Sequence, residues 1–92
     1  MTEAGVSSGN SEASAPLKDL IHGIAVALVD HPDEVEVVEV PGDNNTIIEL
    51  HVAKDDIGKV IGKEGRTAQS MRTLLTALST KLGRRAHLDI VD

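Results

Sequence analysis

The sequence predicts an α+β domain in which a three-stranded mixed sheet carries helices packed on one face. Three observations lead to it. Apolar residues recur at helical spacing in three stretches and at strand spacing in three others, and the stretches follow in the order α-β-β-α-α-β. A dense turn signal separates the first two strands, which makes them an antiparallel pair. The second and third strands are joined through two helices, a connection long enough for a parallel crossover.

Residues 1–15 are rich in Ser, Gly, Ala and Glu, with only Met1 and Val6 as larger apolar residues. Such a stretch buries too little surface to offset its ordering entropy, so a disordered tail is expected there. The domain is then expected over 16–92. Pro16 suits the first turn of a helix. Leu17, Leu20, Ile21, Ile24 and Leu28 continue at helical spacing, and His31-Pro32 stops them.

Glu34 to Val40 alternates Val with Glu and reads as a strand. The alternation slips at Val37-Val38, which predicts a bulge. Pro41-Gly42-Asp43-Asn44-Asn45 is the turn. Thr46 to Ala53 is the second strand, with Ile48, Leu50 and Val52 on one face and Glu49 and His51 on the other. Asp55 and Asp56 are placed to cap a short helix carrying Ile57, Val60 and Ile61. A longer helix follows the interruption Gly62 to Gly65, with Ala68, Met71, Leu74, Leu75, Leu78 and Leu82 expected on its buried face. Gly83 closes it. Ala86 to Val91 is the last strand.

Composition restricts function. The 92 residues suit one domain. They contain no Phe, Tyr or Trp, so the core is aliphatic and bases cannot stack on aromatic rings. They contain no cysteine, which excludes disulfides and thiolate metal sites. No apolar run is long enough to cross a bilayer, and the N-terminus lacks a signal-peptide pattern, so a cytoplasmic location without membrane contact is expected. The net charge is -6, yet Lys54 to Arg85 holds eight basic residues against three acidic ones, a balance of +5. Pro16 to Ala53 carries Lys18 against eight carboxylates. A polarised surface follows.

The informative motif is Gly62-Lys63-Glu64-Gly65 between two helices. Glycine reaches positive φ cheaply and lets a phosphate approach the main chain. N–H groups of the loop and of the following helix start form a candidate anion site. Lys63 and Arg66 add charge-assisted contacts, and Glu64 is expected to point outward. Ile57, Val60 and Ile61 lie on one face of the preceding helix. Part of that stripe is core. The rest is expected to floor an aliphatic groove, closed by the strand carrying Ile48, Leu50 and Val52. A bare Gly-x-x-Gly is commonly only a tight helix–helix turn. Its setting here, after a β-β unit and inside the basic segment, argues for more.

Ile57-Gly58-Lys59-Val60-Ile61-Gly62-Lys63-Glu64-Gly65-Arg66 resembles the signature of KH domains, and the element order is similar to their bacterial, type II arrangement. A chain of this size with one such domain resembles the bacterial KhpA family. The resemblance implies a cytoplasmic protein that binds single-stranded RNA and acts as an RNA chaperone or post-transcriptional regulator. It also implies a homodimer, or a heterodimer with a KhpB-like protein, and a link to cell elongation and envelope homeostasis. Carried onto this sequence, the phosphate-gripping loop is Gly62, Lys63, Glu64 and Gly65. Gly58, Lys59, Val60, Ile61 and Arg66 flank it at the groove or its entrance.

Other chemistries fit poorly. Only three residues separate Gly58 from Gly62, and Glu64 follows Lys63 where a nucleotide-binding phosphate loop needs a hydroxyl. His22, His31, His51 and His87 show no zinc-ligand spacing, although His51 and His87 could share a sheet. Asp33, Glu34, Glu36 and Glu39 read as solvated. No nucleophile–base–acid set is evident. The expectation is a non-enzyme without cofactor, metal or small-molecule substrate. The alternative reading is a KH-fold interaction module whose main role is docking a partner. The acidic strand pair and the coiled-coil-like seam Met71, Leu75, Leu78 and Leu82 motivate it.

Overall fold

The computed structural model describes residues 9–91, with side-chain surroundings from residue 15 onward. Helix α1 spans Gly9–Leu28 and therefore begins before Pro16, which lies inside it. An interior proline removes one helical N–H and crowds the carbonyl four residues back, at a cost of ~3 kcal/mol. Pro16 is thus not the helix start that its residue type suggested. The tail expected over 1–15 is helical from Gly9, and its first eight residues lie outside the described residues. The buried stripe of α1 starts only at Leu17 and continues through Ile21 and Ala25.

Three strands follow the expected plan: β1 (Glu36–Pro41), β2 (Thr46–His51) and β3 (Ala86–Val91). The sheet order is β1-β2-β3, with β1–β2 antiparallel and β2–β3 parallel. The β1–β2 register runs unbroken from Glu36↔His51 to Pro41↔Thr46, so there is no bulge at Val37-Val38. Instead, Val38 and Val40 sit on the outer sheet face opposite Glu49 and Ile47, and the break in alternation falls on Glu39. Glu39 pairs with Ile48 and so lies on the helix side of the sheet, beside Arg84 at 3.6 Å. It is an engaged carboxylate rather than a solvated one.

The helices α2 (Ile57–Ile61) and α3 (Arg66–Lys81) connect β2 to β3. Leu17, Ile21, Ala25, Ile48, Leu50, Val60, Met71, Leu75, Ala86 and Leu88 form one aliphatic core between helices and sheet. Each large side chain in it contributes ~1.5–3 kcal/mol by leaving water. Ala68, Met71, Leu75 and Ser79 make the buried line of α3. Leu74, expected there, is instead 50% exposed, because it stands one residue, about 100° of helical rotation, off that line. Leu82 is also exposed. Ser79 occupies the seam in its place and satisfies its hydroxyl on the Thr76 carbonyl at 3.0 Å.

Candidate nucleic-acid interface

The candidate interface is built where α2 ends. Val60 is fully buried and pins this five-residue helix to the core, so it is an anchor and not a contact surface. Gly58, Lys59 and Ile61 are exposed beside it. The Gly62 N–H closes α2 on the Gly58 carbonyl at 2.9 Å. Gly62 then takes φ 79°, ψ 173°. A Cβ there would collide with the Thr67 side chain, so both its dihedrals and its surroundings require glycine.

Two left-handed residues follow, Glu64 (φ 58°, ψ 27°) and Gly65 (φ 75°, ψ 10°). A glutamate in this region is strained by ~1 kcal/mol or more. The Gly65 N–H donates to the Gly62 carbonyl at 3.1 Å, and the Arg66 N–H donates to the Lys63 carbonyl. From Gly62 to Arg66 three N–H groups, those of Gly62, Gly65 and Arg66, are therefore already taken, and fewer remain for an anion than the loop's length suggests. No atom would stand within 4 Å of a Cβ on Gly65, so its main chain is open to close approach.

The cations of the motif divide. Lys63 and Arg66 are exposed. Arg66 Nη2 lies 3.3 Å from Glu64 Oε1, with both side chains mostly in solvent. A pair of that kind is worth little and leaves the guanidinium free to exchange partners. Lys59 is committed elsewhere: Nζ is 3.2 Å from Asp30 Oδ2 and 3.8 Å from Asp56 Oδ1. The Asp30 hydrogen bond, with the charges of Asp30 and Asp56, holds the Lys59 ammonium above its ordinary pKa against a desolvation effect.

Asp56 was expected to cap α2, yet its side chain makes no cap hydrogen bond. It is buried and accepts the Asp30 N–H at 3.2 Å and the His31 N–H at 3.0 Å, with His31 Nδ1 also 3.0 Å away. Burial pushes the carboxyl pKa up. The Asp30 and His31 donors and the His31 charge outweigh it, so the pKa lies below the ordinary value. The same hydrogen bond and the Asp56 charge raise His31. Sequence spacing gave no signal of this cluster, because its members lie 25 and 26 residues apart.

The groove expected between α2 and β2 does not exist in that form. Ile48 and Leu50 are fully buried and cannot line it. A shallow trough lies instead along α3, starting at Gln69, Arg72, Thr73 and Thr76, a turn beyond Gly65. It continues between Arg72 and Thr76 on the helix and Ala86, His87 and Leu88 on β3. It ends at Thr80, Arg84 and Arg85. β3 is an edge strand, so among the described residues one row of its backbone N–H and C=O groups lacks a strand partner. The trough was missed because only the sheet order places β3 at the edge. The polar stripe Gln69, Arg72, Thr73, Thr76 was the available clue. Among the described residues no cluster of three or more metal-ligating side chains occurs. His51 and His87 stand four register positions apart, about 13 Å, too far to share an ion.

A three-stranded mixed sheet with helices packed against it, and a Gly-Lys-Glu-Gly turn between two of them, defines a KH domain. A family model described as the KH domain of KhpA/KhpB matches residues 18–90. The chain belongs to that family. It is 53% identical over 76 residues to the RNA-binding protein KhpA of Halalkalibacterium halodurans, covering 83% of this chain and 100% of that one. It is 46% identical over 76 residues to the RNA-binding protein KhpA of Aquifex aeolicus, covering 83% and 96%. Among solved structures it is similar to an Aquifex aeolicus Era variant bound to GDP.AlF4-, with TM-score 0.54 and 23% identity. That match covers 82% of this chain and 29% of the Era chain. Era with MgGDPNP and a 16S ribosomal RNA segment gives TM-score 0.54 and 23% identity over 80% and 28%. At this identity the likeness to Era is one of fold.

Proposed function

We propose that this protein binds single-stranded RNA, with the sugar-phosphate backbone seated on Gly62 to Gly65 and the bases laid along the α3–β3 trough. The observation that carries this reading is the turn itself. It holds two successive left-handed residues, an open approach to the Gly65 main chain, and exposed Lys63 and Arg66 on either side. A phosphate entering there exchanges the weak Glu64–Arg66 pair for a charge-assisted contact. Gly58 contributes a bare helical surface beside the turn, and Ile61 an exposed aliphatic one. Lys59 stands at the entrance, held by Asp30 and Asp56. Beyond the turn, threonines and the unpartnered edge of β3 supply hydrogen-bonding groups for base edges, in place of aromatic stacking.

The footprint is about four nucleotides. One domain neutralises few phosphates, so binding is weak and falls with salt. We place the RNA-binding domain at 16–92, acting in the cytoplasm without catalysis. The names of its relatives support RNA binding. The family resemblance supports a role as an RNA chaperone or post-transcriptional regulator, in cell elongation and envelope homeostasis. A second subunit, another copy or a KhpB-like protein, raises the affinity through effective concentration.

The test is the double replacement Lys63→Asp with Glu64→Asp, read by anisotropy of a labelled short single-stranded RNA. Affinity falls by at least roughly tenfold while the circular dichroism spectrum is kept, as expected when a contacting cation is reversed. Unchanged binding by the folded variant sinks the reading. A partner-docking module is the second reading, favoured by the exposure of Leu74 and Val40. It is supported if changes at those residues abolish function in cells while the loop variant does not.

A further inference from the structure

Asp56 is a fully buried carboxylate that the RNA reading leaves without a task. It stands directly before α2, where an aspartate ordinarily caps the helix, and it turns away from that duty. Its two oxygens are taken by the main-chain N–H groups of Asp30 and His31 and by the His31 ring. Lys59 reaches back from α2 to both Asp30 and Asp56. One carboxylate thus ties the segment after α1 to the start of α2.

The need for such a tie is physical. A helix of five residues has almost no stability of its own. Within α2 only Val60 is buried. A single apolar anchor fixes the depth of a short helix but leaves its tilt loose. The phosphate-binding turn hangs directly from its last residue. Rotation of α2 about Val60 would carry Gly62 to Gly65 away from the trough on α3.

We propose that Asp56 is a positioning residue for RNA binding: with Asp30, His31 and Lys59 it clamps α2 at the tilt that aligns the glycine turn with the α3–β3 trough. The inference rests on the RNA reading above. The clamp is a charged one. His31 faces Asp56, with Asp30 and Glu34 from its own segment adding negative charge, and Lys59 approaches from α2. It is tightest when His31 is protonated.

The experiment compares Asp56→Asn and His31→Gln with the parent chain, using anisotropy of a labelled short single-stranded RNA at a temperature where circular dichroism shows all chains folded. Asp56→Asn removes one acceptor and weakens RNA binding by roughly tenfold. His31→Gln keeps both main-chain donors, weakens binding less, and flattens the fall in affinity expected of the parent as rising pH takes the His31 proton away. Lys63→Ala is then added to each. In a clamped turn Lys63→Ala costs the full phosphate contact, and in an unclamped one it costs less, so the effects are not additive. If Asp56→Asn does not fold, His31→Gln carries the same cycle and the same pH profile. If folded variants bind as the parent does, or Lys63→Ala costs the same in every background, Asp56 is merely structural and the inference falls. If Lys63→Ala has no effect in the parent chain, the RNA reading itself falls first.

Discussion

The two ends of α3 invite comparison. Each is a tight reversal with a glycine at positive φ, Gly65 before the helix and Gly83 after it, and each carries cations from the same +5 segment. At the far end Arg84 is occupied and the Arg85 main chain is engaged, while Lys81 and the Arg85 side chain are exposed. Arg84 Nη2 reaches Thr46 Oγ1 at 3.2 Å and Glu39 Oε2 at 3.6 Å, and the Thr46 N–H donates to the Arg85 carbonyl at 2.9 Å. Lys81 sits in the last turn, where a cation complements the exposed carbonyls of the helix. The Arg84 guanidinium and the Arg85 carbonyl stitch the turn to the β1–β2 hairpin. At the near end Lys63 and Arg66 lie in solvent at the positive end of the helix dipole, where they add to the field instead of cancelling it. Charge count alone does not locate a binding surface. What matters is which cations the fold has already neutralised.

The sharpest way to break this contrast is Gly62→Ala. The added methyl meets Thr67 Oγ1 and the dihedrals are closed to an L-residue, so the turn must rebuild. Stability falls by ~2–3 kcal/mol in chemical denaturation, and RNA binding is lost. Arg84→Ala should separate the ends most clearly. It costs ~1–1.5 kcal/mol through the Thr46 and Glu39 contacts, while RNA affinity changes little. Comparable losses of affinity for Arg84→Ala and Lys63→Ala would show that both ends bind. Gly65→Ala comes next. Only its φ is unfavourable and the space is empty, so it costs ~1 kcal/mol, yet on the proposed RNA reading its methyl blocks the phosphate and affinity falls out of proportion.

The smallest expected effect is on pH. His31 has a raised folded pKa, so its contribution is fully present below its ordinary value of 6.5 and is lost as pH rises through the folded value above that. Asp56 has a lowered pKa, so its contribution is present above its ordinary value of 3.8 and is lost as pH falls through the folded value below that. The pair stabilises most between those two ordinary values. Thermal unfolding of the parent should decline above the window, and that of His31→Gln should not.

Much of this was open to a reader of the sequence. Periodicity placed three helices and three strands in order, because α-helix and strand repeats differ and the chain alternates cleanly between them. Gly62 and Gly65 were legible because both take positive φ, which glycine reaches cheaply, and Gly62 has no room for a Cβ as well. Glu39 was not, since its engagement depends on the strand register and on Arg84. Leu74 was misplaced because an apolar residue beside the buried line of a helix looks the same in sequence as one on it.

The sequence by itself determined the α-β-β-α-α-β order, the glycine turn between two helices, the aliphatic core and the split of charge along the chain. Those follow from properties local to a few residues: backbone freedom, apolar spacing and side-chain charge. Only the tertiary structure decided that Ile48, Leu50 and Val60 are core, that the trough runs along α3 and β3, and that Lys59 serves Asp30 and Asp56 while Lys63 and Arg66 stay exposed. These depend on which segments meet across tens of residues. The physical cause is that burial and charge pairing are properties of neighbours in space, which no local pattern specifies.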